Sequence, residues 1–122
     1  MFGRFIKKSK TGITWHKVDK NIDTGDILIQ EEIEFDKKIT ALNLLRAQHN
    51  LAINTFQKAL ENLKNKNYKK QEKRNDKERI YSKKDLPNNG FLELSWEKVK
   101  IDCFLRSMYG ISKAKIKLFN KI

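Results

Sequence analysis

The feature that most constrains this chain is a run of about 24 residues, from Thr40 to roughly Lys64, that keeps helical period without a Gly or Pro; that is long for a globular helix. Leu45, Ala52, Phe56, Ala59, Leu60 and Leu63 recur at the spacing of one helix face, and Thr40 is available as N-cap. A helix of this kind is amphipathic and must lie on something apolar. With 122 residues and 39% hydrophobic content, the chain can build one modest core, so one domain is expected.

The sequence before the helix changes period. Ile13 to Val18 alternates β-branched and aromatic residues after the breaker pair Thr11-Gly12, which predicts a strand, and Ile27 to Ile33 predicts a second. Between them Asp19 to Asp26 is polar; Asn and Asp can bond their own backbone there, and Gly25 is free to take positive φ. The two strands are expected to form a hairpin or a pair within a larger sheet. After the long helix come a basic segment, a strand-like Arg79-Ile80-Tyr81-Ser82, a turn at Leu86 to Gly90 and a short strand at Phe91 to Leu94. Ser95 can cap a final helix to about Tyr109, with Ile101, Phe104, Leu105 and Met108 on one face and Gly110 just past its end.

The net charge of +12 invites a phosphate-binding reading, but its distribution argues for a solvated segment: Lys64 to Lys84 holds ten Lys/Arg against three acids, a surplus of seven. Only Tyr68 and Tyr81 are interleaved there, too few aromatics for a single-strand stacking platform. The single cysteine, Cys103, cannot close an internal disulfide, and no Cys/His cluster has metal-ligand spacing, so no metal is expected and a cytoplasmic setting fits best. No apolar stretch approaches the roughly 20 residues of a membrane span, so no membrane partner is expected.

The informative loop is Asn21-Ile22-Asp23-Thr24-Gly25-Asp26, with two acids three residues apart in a turn between strands. One reading is a turn whose Asp side chains satisfy local backbone donors. A calcium loop fits poorly: Asp19, Asn21 and Asp23 alternate like the start of an EF-hand loop, but Thr24 stands where its glycine belongs and strand-like sequence follows.

Context adds weight to this loop. Thr11 to Gln30, with its Gly12-Ile13-Thr14 and Asp23-Thr24-Gly25-Asp26-Ile27 spacing, resembles the signature segment of the folate-dependent formyltransferases, which include methionyl-tRNA, glycinamide ribonucleotide and sugar N-formyltransferases. Thr40-Ala41 through Phe56 is similar to the family helix that follows, and Tyr81 to Pro87 with Gly90, Trp96 and Leu105-Arg106-Ser107 is similar to the stretch leading into the C-terminal extension. The resemblance implies an α/β fold: the C-terminal part of a formyltransferase-type Rossmann-like sheet, two strands plus a long helix, followed by a short turn and helix. It divides the chain into catalytic-domain sequence over 1–66, a basic linker over 67–84 and an extension over 85–122.

The resemblance also implies chemistry. An amine attacks the formyl carbon of 10-formyltetrahydrofolate through a tetrahedral intermediate, which needs a preorganised donor for the oxyanion and a route for the amine's proton. In the family an Asn-x-His motif supplies the donors, and the aspartate matching Asp23 pairs with the histidine and relays the proton. Matching positions assign Asn21, Ile22, Thr24 and Gly25 to the folate pocket, while Asp19 and Asp26 stay structural.

The chain departs from the pattern in holding no Asn-x-His triplet; His16 lies in the signature strand and His49 in the long helix. The chain is therefore expected to begin inside the domain, to be inactive alone, and either to pair with a separate chain carrying the N-terminal half or to be a remnant. Only about 30 residues follow Phe91, too few for a five-stranded barrel, which favours a nucleotide-linked amino sugar or other small amine over tRNA as acceptor. The reading from a different class is a non-catalytic basic module that binds RNA or another polyanion through Lys64 to Lys84.

Overall fold

The computed structural model describes residues 10–21, 24–72 and 81–118, and its elements fall into two compact units. Of the described residues, 10–34 and 46–72 belong to one and 35–45 and 81–118 to the other.

In the first unit, β1 (Lys10–His16) pairs antiparallel with β2 (Ile27–Glu34), placing Thr11 opposite Ile33, Ile13 opposite Glu31 and Trp15 opposite Ile29. The strand period of two puts those six residues on one face. The opposite face is tied by polar cross-strand pairs: Gln30 Nε2 donates to Thr14 Oγ1 at 3.0 Å, and Lys10 meets Glu34 at 3.3 Å. Gly12 is required where β1 and β2 pair, because a Cβ there would stand 2.5 Å from the Glu31 carbonyl oxygen. β1 begins earlier and ends earlier than the sequence pattern predicts. The register shifts between Trp15 and His16, Lys17 N–H already donates to the Asp26 carbonyl, and Val18 is 90% exposed.

The long helix, α1 (Ala41–Lys64), forms as its period predicts, with Thr40 Oγ1 accepting from Asn43 N–H at 3.3 Å. Its residues from Arg46 onward lie in the hairpin unit, where the helix turns a narrow, largely polar stripe to the strands. Gln48 Nε2 donates to Thr11 Oγ1 (3.0 Å), Trp15 Nε1 donates to Thr55 Oγ1 (3.1 Å) and the Ala52 carbonyl (3.3 Å), and Asn62 Nδ2 donates to the Leu28 carbonyl (2.7 Å). Ala59, on the same stripe, is buried. Residues 48, 52, 55, 59 and 62 follow one another at helical spacing, and small or amide side chains allow the close approach. One residue further round lie Ile53, Phe56, Leu60 and Leu63, which are 71%, 47%, 39% and 42% exposed. The apolar face expected from the sequence is thus split: Ala52 and Ala59 lie against the strands, Phe56 is half exposed with its ring 5.3 Å from that of Trp15, and Leu60 and Leu63 are partly exposed.

The basic segment that follows is partly ordered along β2. Lys66 takes φ 53, and Ile27 and Lys69 exchange both backbone hydrogen bonds, at 2.7 and 2.9 Å. The expected strand-like Arg79 and Ile80 lie outside the described residues. Tyr81 and Ser82 are not strand; Ser82 instead caps a 3₁₀ turn, its backbone N–H donating to Asp85 Oδ2 at 2.8 Å.

In the second unit, β3 (Phe91–Leu92) pairs in parallel with β4 (Lys115–Ile116), and α2 (Lys98–Met108) lies between them in sequence. Ser95 does not cap α2. It sits in a turn closed by Trp96 N–H to the Glu93 carbonyl, and Glu97 holds the N-cap position without a side-chain bond. The other end matches expectation: Gly110, at φ 75, follows the last turn, and a Cβ there would stand 2.7 Å from Leu42 Cβ. Ala41, Leu44, Phe104 and Met108 are buried, Phe104 and Met108 almost completely, and Trp96 meets Phe104 edge-on at 5.4 Å. Arg106 ties α2 to the segment before α1, donating to the Lys37 and Ile39 carbonyls while it pairs with Asp102 at 2.9 Å.

Candidate functional site

The loop joining β1 to β2 is built around one carboxylate. Asp19 Oδ1 accepts from the Asn21 backbone N–H at 2.8 Å and from the Thr24 hydroxyl at 2.7 Å, so a single oxygen spans the loop. Both bonds favour the charged form; with the Thr24 hydroxyl as the larger cause, they hold the Asp19 carboxyl below its ordinary value. At the base of the loop, His16 Nδ1 lies 2.9 Å from the Lys17 carbonyl, which can only accept, so Nδ1 carries the proton.

Gly25 closes the other end for a reason different from the one its sequence context suggests. It is absent from the residues with positive φ; it is glycine because its Cα lies against the Lys17 backbone, and a Cβ would fall 1.6 Å from the Lys17 carbonyl oxygen. Gln71 Nε2 donates to the Gly25 carbonyl at 2.6 Å, and Lys17 Nζ stands 4.2 Å from the centre of the Tyr68 ring. Sequence reasoning missed these two clamps, because Tyr68 and Gln71 lie more than 40 residues away in a segment whose composition reads only as charge.

Among the residues assigned to the site from the sequence, Asn21 and Thr24 are exposed and joined through Asp19, and Gly25 is buried beneath them. Ile22 and Asp23 lie outside the described residues. His49 is exposed on α1 and, with Trp15, Ala52, Ile53 and Phe56, lines an open apolar cleft of about 350 Å³. Among the described residues, no group of three or more His, Cys, Asp or Glu could hold a metal ion, and no helix is long and apolar enough to cross a membrane.

This fold, a hairpin with a long helix followed in the chain by a short α/β extension, is similar to that of solved formyltransferases. The chain is similar to these enzymes over the C-terminal part of their length. It is 31% identical over 108 residues to the GDP-perosamine N-formyltransferase of Brucella melitensis biotype 1, a match covering 84% of this chain and 38% of that one. It is 38% identical over 58 residues to the methionyl-tRNA formyltransferase of Caldicellulosiruptor saccharolyticus, covering 48% of this chain and 19% of that one. Among solved structures, the sugar 3N-formyltransferase WlaRD, determined in the presence of dTDP and 5-N-formyl-THF, superposes with a TM-score of 0.66 at 26% identity, covering 84% of this chain and 37% of that one. The methionyl-tRNA formyltransferase from Clostridium thermocellum shares the fold, with a TM-score of 0.63 at 24% identity over 91% of this chain and 47% of that one. No family model matches the chain. The chain spans well under half the length of these curated relatives.

Proposed function

We propose that this chain forms the C-terminal portion of an N-formyltransferase catalytic domain, transferring a formyl group from 10-formyltetrahydrofolate to a primary amine. The observation that carries the proposal is the 31% identity to a GDP-perosamine N-formyltransferase across 84% of the chain, a stretch that includes the loop framed by Asp19. In this reaction the amine nitrogen bonds to the formyl carbon, the bond from that carbon to folate N10 breaks, and the proton leaving the amine ends on N10. Asp23 is the group assigned to hold the partner histidine and relay that proton, and Asn21, Ile22, Thr24 and Gly25 are assigned to the folate pocket. A nucleotide-linked amino sugar is the preferred acceptor, because the relative matched over most of the chain acts on a perosamine nucleotide, whereas the tRNA-enzyme relative is matched over 48% of it.

The sequence holds no Asn-x-His triplet, so this function needs a second polypeptide segment to supply one. The exposed Ile53, Leu60 and Leu63 support that requirement. Covering such side chains contributes on the order of 1–2 kcal/mol each, enough to hold a complementary segment once the cost of association is met.

The test is co-expression with a segment of a sugar N-formyltransferase that carries the Asn-x-His motif, measuring tetrahydrofolate release with an amino-sugar nucleotide. Activity should appear only when both pieces are present and should vanish with Asp23→Asn. Undiminished transfer after that substitution overturns the assignment of Asp23. Stable association without any transfer overturns the catalytic reading while keeping the docking.

A further inference from the structure

The second unit carries a cationic surface that the formyltransferase reading does not use. Lys113, Lys115 and Lys117 alternate along and beside β4, which by strand geometry sets their side chains on one face, roughly 7 Å apart. All three are exposed. The alternation brings two ammonium groups to one ring: Lys115 Nζ lies 4.3 Å and Lys117 Nζ 4.9 Å from the centre of Phe91, the residue opposite Lys115 in β3. Nearby in sequence, Lys100 Nζ stands 4.1 Å from the Trp96 ring.

Like charges gathered on one ring repel, and elsewhere in the molecule such charges are answered by carboxylates, as Lys10 is by Glu34 and Arg106 by Asp102. Here, among the described residues, Lys100, Lys115 and Lys117 face aromatic rings rather than carboxylates, and residues 103–122 include no Asp or Glu at all. A row of cations with no carboxylate partner among the described residues, spaced along an extended strand, has the chemistry of a single-stranded phosphodiester track, whose successive phosphates the ammonium groups neutralise; the faces of Phe91 and Trp96 are taken by Lys115, Lys117 and Lys100, so the contact is to the backbone rather than to bases. We infer that this face of β3 and β4 binds the phosphate backbone of single-stranded nucleic acid, with Lys113, Lys115 and Lys117 as the phosphate contacts. The segment from Lys64 to Lys84 carries more charge, but among its described residues Lys69 is tied to β2 through its backbone and Gln71 to the Gly25 carbonyl.

The experiment uses the full chain and a fluorescent oligouridylate, with affinity followed by anisotropy across a salt series. Lys113→Gln/Lys115→Gln/Lys117→Gln should lower affinity at least tenfold and reduce the slope of log affinity against log salt by about 2, at roughly 0.7 per lost single-strand phosphate contact. Lys58→Gln/Lys66→Gln/Lys70→Gln removes the same charge from the other unit and should change affinity less than threefold. Equal losses in the two variants overturn the proposal, as does absence of oligouridylate binding by the unaltered chain or a preference for phosphatidylserine vesicles over the oligonucleotide. A second measurement needs no variant: bound oligouridylate should protect Lys113, Lys115 and Lys117 from acetylation, and full reactivity of all three in the complex overturns the assignment.

Discussion

The two units of this molecule solve the problem of apolar surface in opposite ways. The unit containing α2 closes its own core: Phe104 and Met108 are almost wholly buried, with Ala41 and Leu44 beside them in the buried set. The hairpin unit joins strand to helix through Gln48, Thr55, Asn62 and the Trp15 indole, on whose ring Phe56 packs, buries little beyond Ile29 and Ala59, and leaves Ile53, Leu60 and Leu63 exposed. A hydrogen-bonded joint of this kind fixes register and orientation, since each bond has one geometry, but it contributes only about 1 kcal/mol per bond. The difference teaches that the first arrangement has an aromatic centre of its own, whereas the second is held by directional bonds; both leave large apolar side chains exposed, Leu94, Val99 and Leu118 in the first and Ile53 and Leu63 in the second.

The sharpest way to break this comparison is to empty the closed core. Phe104→Ala should cost about 3–5 kcal/mol in chemical denaturation, because the transfer loss and the residual cavity add. A loss below about 1 kcal/mol would mean that the second unit is no better packed than the first. The complementary experiment overfills the hairpin joint. Ala59 is 2% exposed on the strand-facing stripe, so Ala59→Leu should destabilise by about 1–3 kcal/mol. One position after Ala52, Ile53 is 71% exposed, and Ile53→Ser should change stability by about 0.5 kcal/mol or less. That same substitution should weaken association with a complementing formyltransferase segment severalfold. If Ile53→Ser leaves that association intact while Ala59→Leu leaves folding intact, the division of the helix into two stripes is wrong.

These stripes also mark the limit of what the sequence made legible. The hairpin, the long helix and the short helical extension were readable because each rests on local period and local breakers. The division of labour on α1 was not: Ala52 and Ala59 belong to the same apolar pattern as Leu60 and Leu63, and only the approach of β1 and β2 separates the first pair from the second. Ser95 had the right chemistry for a cap but sits inside the turn made by Trp96 and Glu93, two residues ahead of the true N-cap. At the candidate site, the loop stood out as a motif, and the reading of Asp19 as structural agrees with its bonds to Asn21 and Thr24. Gly25 shows why residue type alone misleads, since the constraint there comes from the Lys17 backbone rather than from torsional freedom. The clamps from Tyr68 and Gln71 depend on the return of a distant segment, which no local pattern encodes.

The smallest expected effect is the most specific to the loop. The Thr24 hydroxyl, then the Asn21 amide, stabilise ionised Asp19, so its folded-state pKa lies below the ordinary 3.8. The sign follows from linkage: a depressed carboxyl contributes stability that is present above its unfolded pKa and is lost as pH falls through the folded value. The loop should therefore hold its shape at neutral pH and loosen only in acid, below 3.8. Because Asp19 is fully exposed, solvent screening keeps the effect on global stability small, and the readout has to be local. In an NMR titration of the Asp19 carboxyl carbon, Thr24→Val should raise the midpoint toward 3.8, since it removes the larger of the two donors, while leaving the Trp15 and Gln48 contacts of the joint unchanged. A midpoint that does not move when the hydroxyl is removed would show that Asp19 does not frame the loop, and the claim that this turn is preorganised around one carboxylate would fail with it.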